Sequence, residues 1–458
     1  MNKLFKYSLI LLLPMRLMSQ SQEEEMISSI YRNALTDSFA YQTLRYLCIN
    51  TEGRIAGSKA AEIAVNYSFE QLKSLDPDTV YLQPVLVPCW ERGETEKSRI
   101  HSDILGNREL NITAIGMSAG TGAGGISARV VEVKTFQELD SLGTEKVKGK
   151  IVFFNRPMDP GLINTFVAYG LAGDQRVRGA SVASKYGASA VIVRSLASSI
   201  DKYPHTGVLW YDEQYPKIPA VAVSTADAEL LSDWLKKDKN LLLEIETHCL
   251  THPDVVSYNV IAELRGQKKP EEIMTIGGHL DAWDTGQGAH DDGAGCVQSM
   301  EVLRIFKELN IRPNRTIRVV MFMDEEIAQR GGQEYALQAR LSDEKHVFAL
   351  ESDRGALTPL GFGFSGPDDR IQQLKNLSVY FRNYNLYIFK TGGSAVDIGP
   401  LQQDNKDIVL SSYIPDWQRY FEYHHSPNDS FKNINYRELQ AGSAAIVSLV
   451  FLVDKFML

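Results

Sequence analysis

The sequence predicts an α/β fold: a mainly parallel central sheet flanked by helices, with a β-rich domain inserted into it. Three observations carry this. From Val256 onward, apolar β-branched runs alternate with loops and amphipathic helical stretches. Strand, crossover helix, strand is the pattern of a parallel sheet covered on both faces. Between 116 and 250 a second set of strands and turns interrupts that rhythm, and the 458 residues exceed one ordinary hydrophobic core. The expected division is a leader over 1–20, a first part of the main domain over 21–115, the insertion over 116–250 and the remainder over 251–458.

At the N-terminus, Lys3 and Lys6 precede the apolar run from Tyr7 to Met15, and the small Ser19 follows. A basic start, a short apolar stretch and a small residue read as a secretory signal peptide. The run is too short to span a bilayer. No cysteine lies near the expected cleavage point, so no lipid anchor is expected, and the mature chain is expected to be exported, periplasmic or secreted. Its composition, 44% hydrophobic and 23% charged, is that of a soluble globular protein. A formal charge of -9 excludes a general binder of nucleic acid, which needs clustered Lys and Arg. The four cysteines are far apart, so no disulfide framework is implied; a Cys48–Cys89 or a Cys89–Cys249 bridge stays open.

The region from Glu23 to Val85 opens with a helix whose Ile27, Ile30, Tyr31 and Leu35 share one apolar face. The stretch from Gly53 to Ser58 is a turn before a second helix through Leu72. From Asn111 the texture changes to glycine-rich sequence and then to strands, among them Ile151 to Phe154, Ala188 to Val193 and Ile218 to Val223. Two motifs in this block are set aside. Gly116-Met117-Ser118-Ala119-Gly120 fits GxSxG, and Gly120 to Gly125 fits GxGxxG. Both need a helix immediately afterward, whereas Ile126 to Val133 alternates like a strand. A serine esterase or amidohydrolase using Ser118 is therefore the rival enzyme reading, and a peptide-binding protein without catalysis the rival of another class.

The chemistry concentrates between His279 and Asp353. His279, Glu325, Glu326 and Asp353 each follow an apolar β-branched run, and Asp291-Asp292 stands before glycines that enter a helix. In parallel sheets, sites form beyond the carboxyl ends of the strands, which lets scattered positions converge. Imidazole suits zinc, and a carboxylate can bridge two ions. Asp281, two residues after His279, can hold the imidazole nitrogen that faces away from a metal. If the strand persists through Glu325-Glu326, the two side chains diverge, so that one ligates while the other faces substrate. His425 lies in His425-Ser426-Pro427-Asn428-Asp429, whose aspartate can cap or support the site. HExxH is absent, which excludes the helical zinc-protease arrangement.

Together these residues resemble the co-catalytic zinc aminopeptidase family, most closely its plasma glutamate carboxypeptidase branch. The resemblance covers nearly the whole mature chain. Its specific points are the stretches from Val87 to Gly93 and from Gly278 to Gly288, Glu351-Ser352-Asp353, Thr391 to Leu401, and Tyr423-His424-His425-Ser426. The middle block resembles the protease-associated domain inserted in this family, including Pro204-His205-Thr206-Gly207. The resemblance implies two zinc ions, about 3.5–4 Å apart in such sites. Asp291 would bridge them, with His279 and Asp353 completing one site, Glu326 and His425 the other. Glu325 would be the general base, with Asp281 beside it in the catalytic set. It selects His425 over His424 and implies a cis Asp291–Asp292 peptide. His290 departs from it, standing where a small or apolar residue is usual. The implied substrates are dipeptides or short peptides with a free N-terminus; no membrane anchor and no nucleic-acid partner are expected, and a homodimer is left open.

Overall fold

The computed structural model describes residues 22–457 apart from Thr95 and Ser394, so the expected signal peptide lies outside the described residues. Two eight-stranded sheets organise the chain. The larger consists of β1 (Thr79–Glu91), β2 (Leu250–Leu264), β3 (Lys269–His279), β4 (Arg315–Phe322), β5 (Lys345–Glu351), β6 (Pro359–Ser365), β7 (Ile388–Thr391) and β8 (Val409–Pro415). Their order across the sheet is β1-β2-β4-β3-β5-β8-β6-β7. The centre, β4-β3-β5-β8, is parallel as expected. The margins are not: β1 runs antiparallel to β2, β2 to β4 and β6 to β8. The sheet is mixed.

β1 and β2 form one long hairpin, paired from Thr79↔Glu263 to Glu91↔Leu250, and the second sheet grows from its tip. Its strands, in spatial order, are Gly106–Glu109, Glu96–Ser102, Leu242–Thr247, Ile126–Val133, Ile151–Phe154, Ala190–Arg194, Ala220–Val223 and Ile112–Ala114. The inserted sheet thus begins at Glu96 and not at 116. The glycine-rich stretch that marks a change of texture is a loop inside this unit, and the strand alternation of Glu96–Ser102 gives no sign of which sheet it joins. The unit also carries helices, among them Phe136–Val147 and Thr225–Lys237, around a core of Ile151, Phe153, Ile192, Val221 and Leu243.

In the main sheet, β4 is buried along its whole length, as a strand covered on both faces must be. Helix Ala294–Glu308 has every residue from Ala294 to Phe306 buried, and it packs between the sheet and helix Tyr436–Phe456. Burying a Val, Leu, Ile or Phe stabilises by about 1.5–3 kcal/mol, so this layer fixes the helix start that carries the aspartates. Helix Tyr436–Phe456 is long and apolar enough to cross a membrane by length and composition, yet most of it is buried in this core. All four cysteines are free, so neither bridge forms. Cys296 is fully buried, as a small packed residue should be, and donates to the His279 carbonyl.

The two sheets are joined close to the strand ends. Arg92, at the hairpin tip, makes a bidentate pair with Asp284 at 2.9 and 2.5 Å and reaches Thr113 Oγ1 at 2.7 Å. Trp90 Nε1 donates to the Ser118 carbonyl at 3.0 Å. Trp283 lies so close over Gly116 that a Cβ there would sit 1.9 Å from its ring.

Candidate metal centre

β4, β3 and β5 are adjacent and parallel, so the residues at their carboxyl ends open onto one hollow. β3 ends on His279 and β5 on Glu351, with Asp353 two residues on. Asp291 enters from the turn Ala289–Gly293, which leads into helix Ala294–Glu308. Glycine lets that helix start press against the strands: a Cβ at Gly295 would meet the Ser352 carbonyl at 1.8 Å. The Asp291–Asp292 peptide is cis.

The two oxygens of Asp291 face different partners. Oδ1 lies 3.2 Å from His279 Nε2, whose other neighbour is Asp353 Oδ1 at 3.5 Å. Oδ2 lies 3.3 Å from His425 Nε2, and that nitrogen is 3.0 Å from Glu326 Oε2. His424 is further away, with Nε2 at 3.9 Å from Asp291 Oδ2, and its ring stacks on His425 at 3.5 Å between centroids. The distances favour His425 as the ligand. Asp292 also lies near His279 and Asp353. Its oxygens are engaged by the backbone N–H groups of His279 and Gly295, each at 3.0 Å, so it fastens the helix start to β3.

Bound metal fits this donor set. Asp291 Oδ2, Glu326 Oε1 and Asp353 Oδ1 are buried acceptors without a hydrogen-bond partner. Burial, joined by neighbouring carboxylates, pushes the carboxyl groups of Asp292, Glu325 and Glu326 well above their ordinary range. Burial opposes charge on His279, but the hydrogen bond to Asp291 and the negative charge of Asp353 close by hold its imidazole well above the usual value. Carboxylates this crowded stay ionised only with positive charge among them, which divalent cations would supply.

The supporting groups differ in part from expectation. His279 Nδ1 is held by the backbone carbonyl of Asp281 at 2.9 Å, while the Asp281 carboxylate stays 3.9 Å away. That carboxylate instead accepts from the backbone N–H groups of Glu325 at 3.2 Å and Glu326 at 3.3 Å. Asp281 is thus a positioning residue for the glutamate pair. The pair does not continue β4, which stops at Phe322. Asp324 takes a left-handed φ of 69°, and the turn, not strand alternation, directs the two side chains. Glu326 is buried against His425, and Glu325 is only partly buried. Asp429 accepts from the backbone N–H groups of His290 at 2.7 Å and Asp291 at 3.1 Å, the supporting role expected of it. His290 is accommodated as a packed, neutral ring. It stacks on Tyr423, accepts from Ala356 N–H at 3.2 Å, and burial lowers its pKa to about 4.

Three supports were not visible in the sequence. Arg54, fully buried, donates to the carbonyls of Leu280, Gln287 and Gly288 at 2.6, 2.6 and 2.7 Å, clamping the loop between His279 and Asp291. Glu351 accepts from three consecutive backbone N–H groups, Val396 to Ile398. From the inserted unit, His205 Nδ1 meets the His424 carbonyl at 2.6 Å and Thr206 N–H the His425 carbonyl at 2.9 Å. An arginine is seldom buried, and no local pattern announces one that will bind only carbonyls. Arg54→Met should strand three buried acceptors at about 1–3 kcal/mol each. A clearly lower denaturation midpoint in urea is expected, and an unchanged midpoint would contradict the clamp.

Ser118 is not in a nucleophile's setting. Its buried hydroxyl donates to the Ala119 carbonyl at 2.9 Å and accepts from Ala220 N–H at 2.8 Å. The Gly120–Gly125 loop runs into strand Ile126–Val133, not a helix.

The hollow at the ends of the parallel strands gathers histidines and carboxylates close enough together to hold a metal ion. Residues 259–450 match peptidase family M28. The chain is 33% identical to carboxypeptidase Q of Bos taurus over 413 residues, covering 90% of this chain and 84% of that one. It is 35% identical to carboxypeptidase Q of Xenopus laevis, covering 85% and 80%. A peptidase M28 precursor from Shewanella amazonensis superposes with a TM-score of 0.89 at 32% identity, covering 95% of this chain and 97% of that one. This chain belongs to peptidase family M28.

Proposed function

We propose that this chain is an exported di-zinc exopeptidase that hydrolyses dipeptides or short peptides with a free N-terminus. The observation that carries it is Asp291, whose two oxygens address separate ligand sets beside a glutamate, Glu325, that belongs to neither. His279, Asp291 and Asp353 would hold one ion, and Asp291, Glu326 and His425 the other. Two zinc ions would supply Lewis acidity to the scissile carbonyl and to a water nucleophile. Glu325 takes the proton from the attacking water and passes it to the leaving amine. Asp281 fixes the glutamate backbone, and Arg54 and Asp429 hold the loop that presents Asp291.

A protein that only binds peptides has no use for a partly exposed, unligated glutamate at this point. Carboxypeptidase Q and leucine aminopeptidase are both named among the relatives, and the present reading is a dipeptidase or aminopeptidase of that kind. The inserted unit is read as a protease-associated-like domain whose Pro204-His205-Thr206-Gly207 loop steadies His425. Export rests on Lys3, Lys6 and the apolar run that follows. A dipeptide-library assay with and without chelator tests the reading: hydrolysis of free dipeptides that chelator abolishes is expected, and chelator-insensitive hydrolysis would overturn it.

A further inference from the structure

The chain places several arginines around the metal centre, and most have partners. Arg54 is engaged by three carbonyls, Arg92 by Asp284 and Glu96, and Arg176 by the Thr206 carbonyl. Arg354 is different. It follows the ligand Asp353 directly, is only partly buried, and among the described residues no carboxylate or carbonyl accepts from its guanidinium. It lies by its face on an aromatic ring: the guanidinium carbon is 4.7 Å over the ring of Phe166. Phe166 comes from helix Thr165–Ala172 of the inserted unit and stacks in turn on Tyr420, with centroids 5.4 Å apart and planes 17° from parallel. Tyr420 is buried, on the segment that leads to His425.

This stack orients the guanidinium without using its N–H groups. Those groups lie in the guanidinium plane, so a cation held by its face keeps a fork of donors free for a planar anion. Such a fork grips a carboxylate in bidentate fashion, and the carboxylate is the planar anion a free peptide carries at its end. In a dipeptide, the C-terminal carboxylate lies about one residue spacing, roughly 3.8 Å, beyond the scissile bond. Arg354 follows the candidate ligand Asp353 in sequence, and its charge bears on Asp353, Tyr420 and Glu351, which keeps it beside the centre.

We propose that Arg354 receives the free C-terminal carboxylate of the substrate residue just beyond the scissile bond. This rests on the peptidase reading above. Phe166 then gives the inserted unit a share in substrate selection, because it supplies the surface on which the guanidinium lies. The bland alternative is that Arg354 only offsets the charge of the surrounding carboxylates. That role would serve metal retention and would not distinguish one substrate from another.

The test compares alanylalanine with its C-terminal amide, using the full zinc-loaded chain. Unmodified enzyme should favour the acid over the amide by about ten-fold or more in kcat/KM, chiefly through KM. In R354Q that ratio should collapse towards one with zinc content unchanged, while R354K should retain part of it. A ratio near one in the unmodified chain, or the same ratio in R354Q, overturns the assignment and leaves the peptidase reading standing. Loss of zinc in R354Q with the ratio preserved overturns it in favour of charge balance. No hydrolysis of either compound would sink both readings together.

Discussion

Glu325→Gln should lower dipeptide turnover by about a hundred- to ten-thousand-fold while leaving the metals in place. A general base must be ionised, near the water and free of direct metal bonding. Glu325 is the glutamate of the pair proposed for this role, because it is partly exposed, whereas Glu326 is buried at 3.0 Å from His425. The backbone of Glu325 is fixed by Asp281 independently of its side chain, so the amide isostere should keep its position and lose only proton transfer. Glu326→Gln should behave differently, weakening one metal before it affects chemistry, because a ligating carboxylate balances the ion's charge directly. Metal content and turnover for both variants at matched pH separate the roles. Near-normal turnover in Glu325→Gln, or metal loss equal to that of Glu326→Gln, would refute the assignment.

Asp291→Ala should empty the centre. Each oxygen of Asp291 faces a different histidine, at 3.2 and 3.3 Å, so one substitution takes a ligand from both sets. Replacing a group that only orients a ligand typically costs 10–100-fold in metal affinity, and deleting a shared ligand should exceed that for both ions. The backbone N–H groups of His290 and Asp291 remain held by Asp429, and Asp292 still fastens the helix start, so the fold around the site should survive. Elemental analysis should show zinc falling well below one per chain. Retention of a full complement would contradict a bridging role.

Much of this candidate centre was legible because the residues proposed as ligands sit where regular structure ends. His279 and Asp353 follow apolar runs that become adjacent parallel strands, and the glycines after Asp291-Asp292 announce a helix start. What was not legible depends on the paths of loops. Whether Asp281 would support His279 through its carboxylate or its carbonyl turns on the backbone between them, and the carbonyl took the role. Glu325 and Glu326 were expected to diverge by strand alternation, but the strand stops at Phe322 and a turn at Asp324 directs them. The insertion boundary was misplaced because hairpin partners 79–91 and 250–264 are too distant in sequence for local pattern to pair them. Arg54 and the His205–Thr206 strap act across more than two hundred residues, on backbone carbonyls that no side-chain motif records.

The most direct measurement is zinc-dependent reconstitution. The chain is stripped of metal with chelator, its dipeptide turnover is measured as zinc is added back, and bound zinc is counted by elemental analysis. Shared ligation by Asp291 predicts negligible turnover in the stripped chain and recovery that is complete at two zinc ions per chain. Full peptidase activity in the metal-free chain would contradict it.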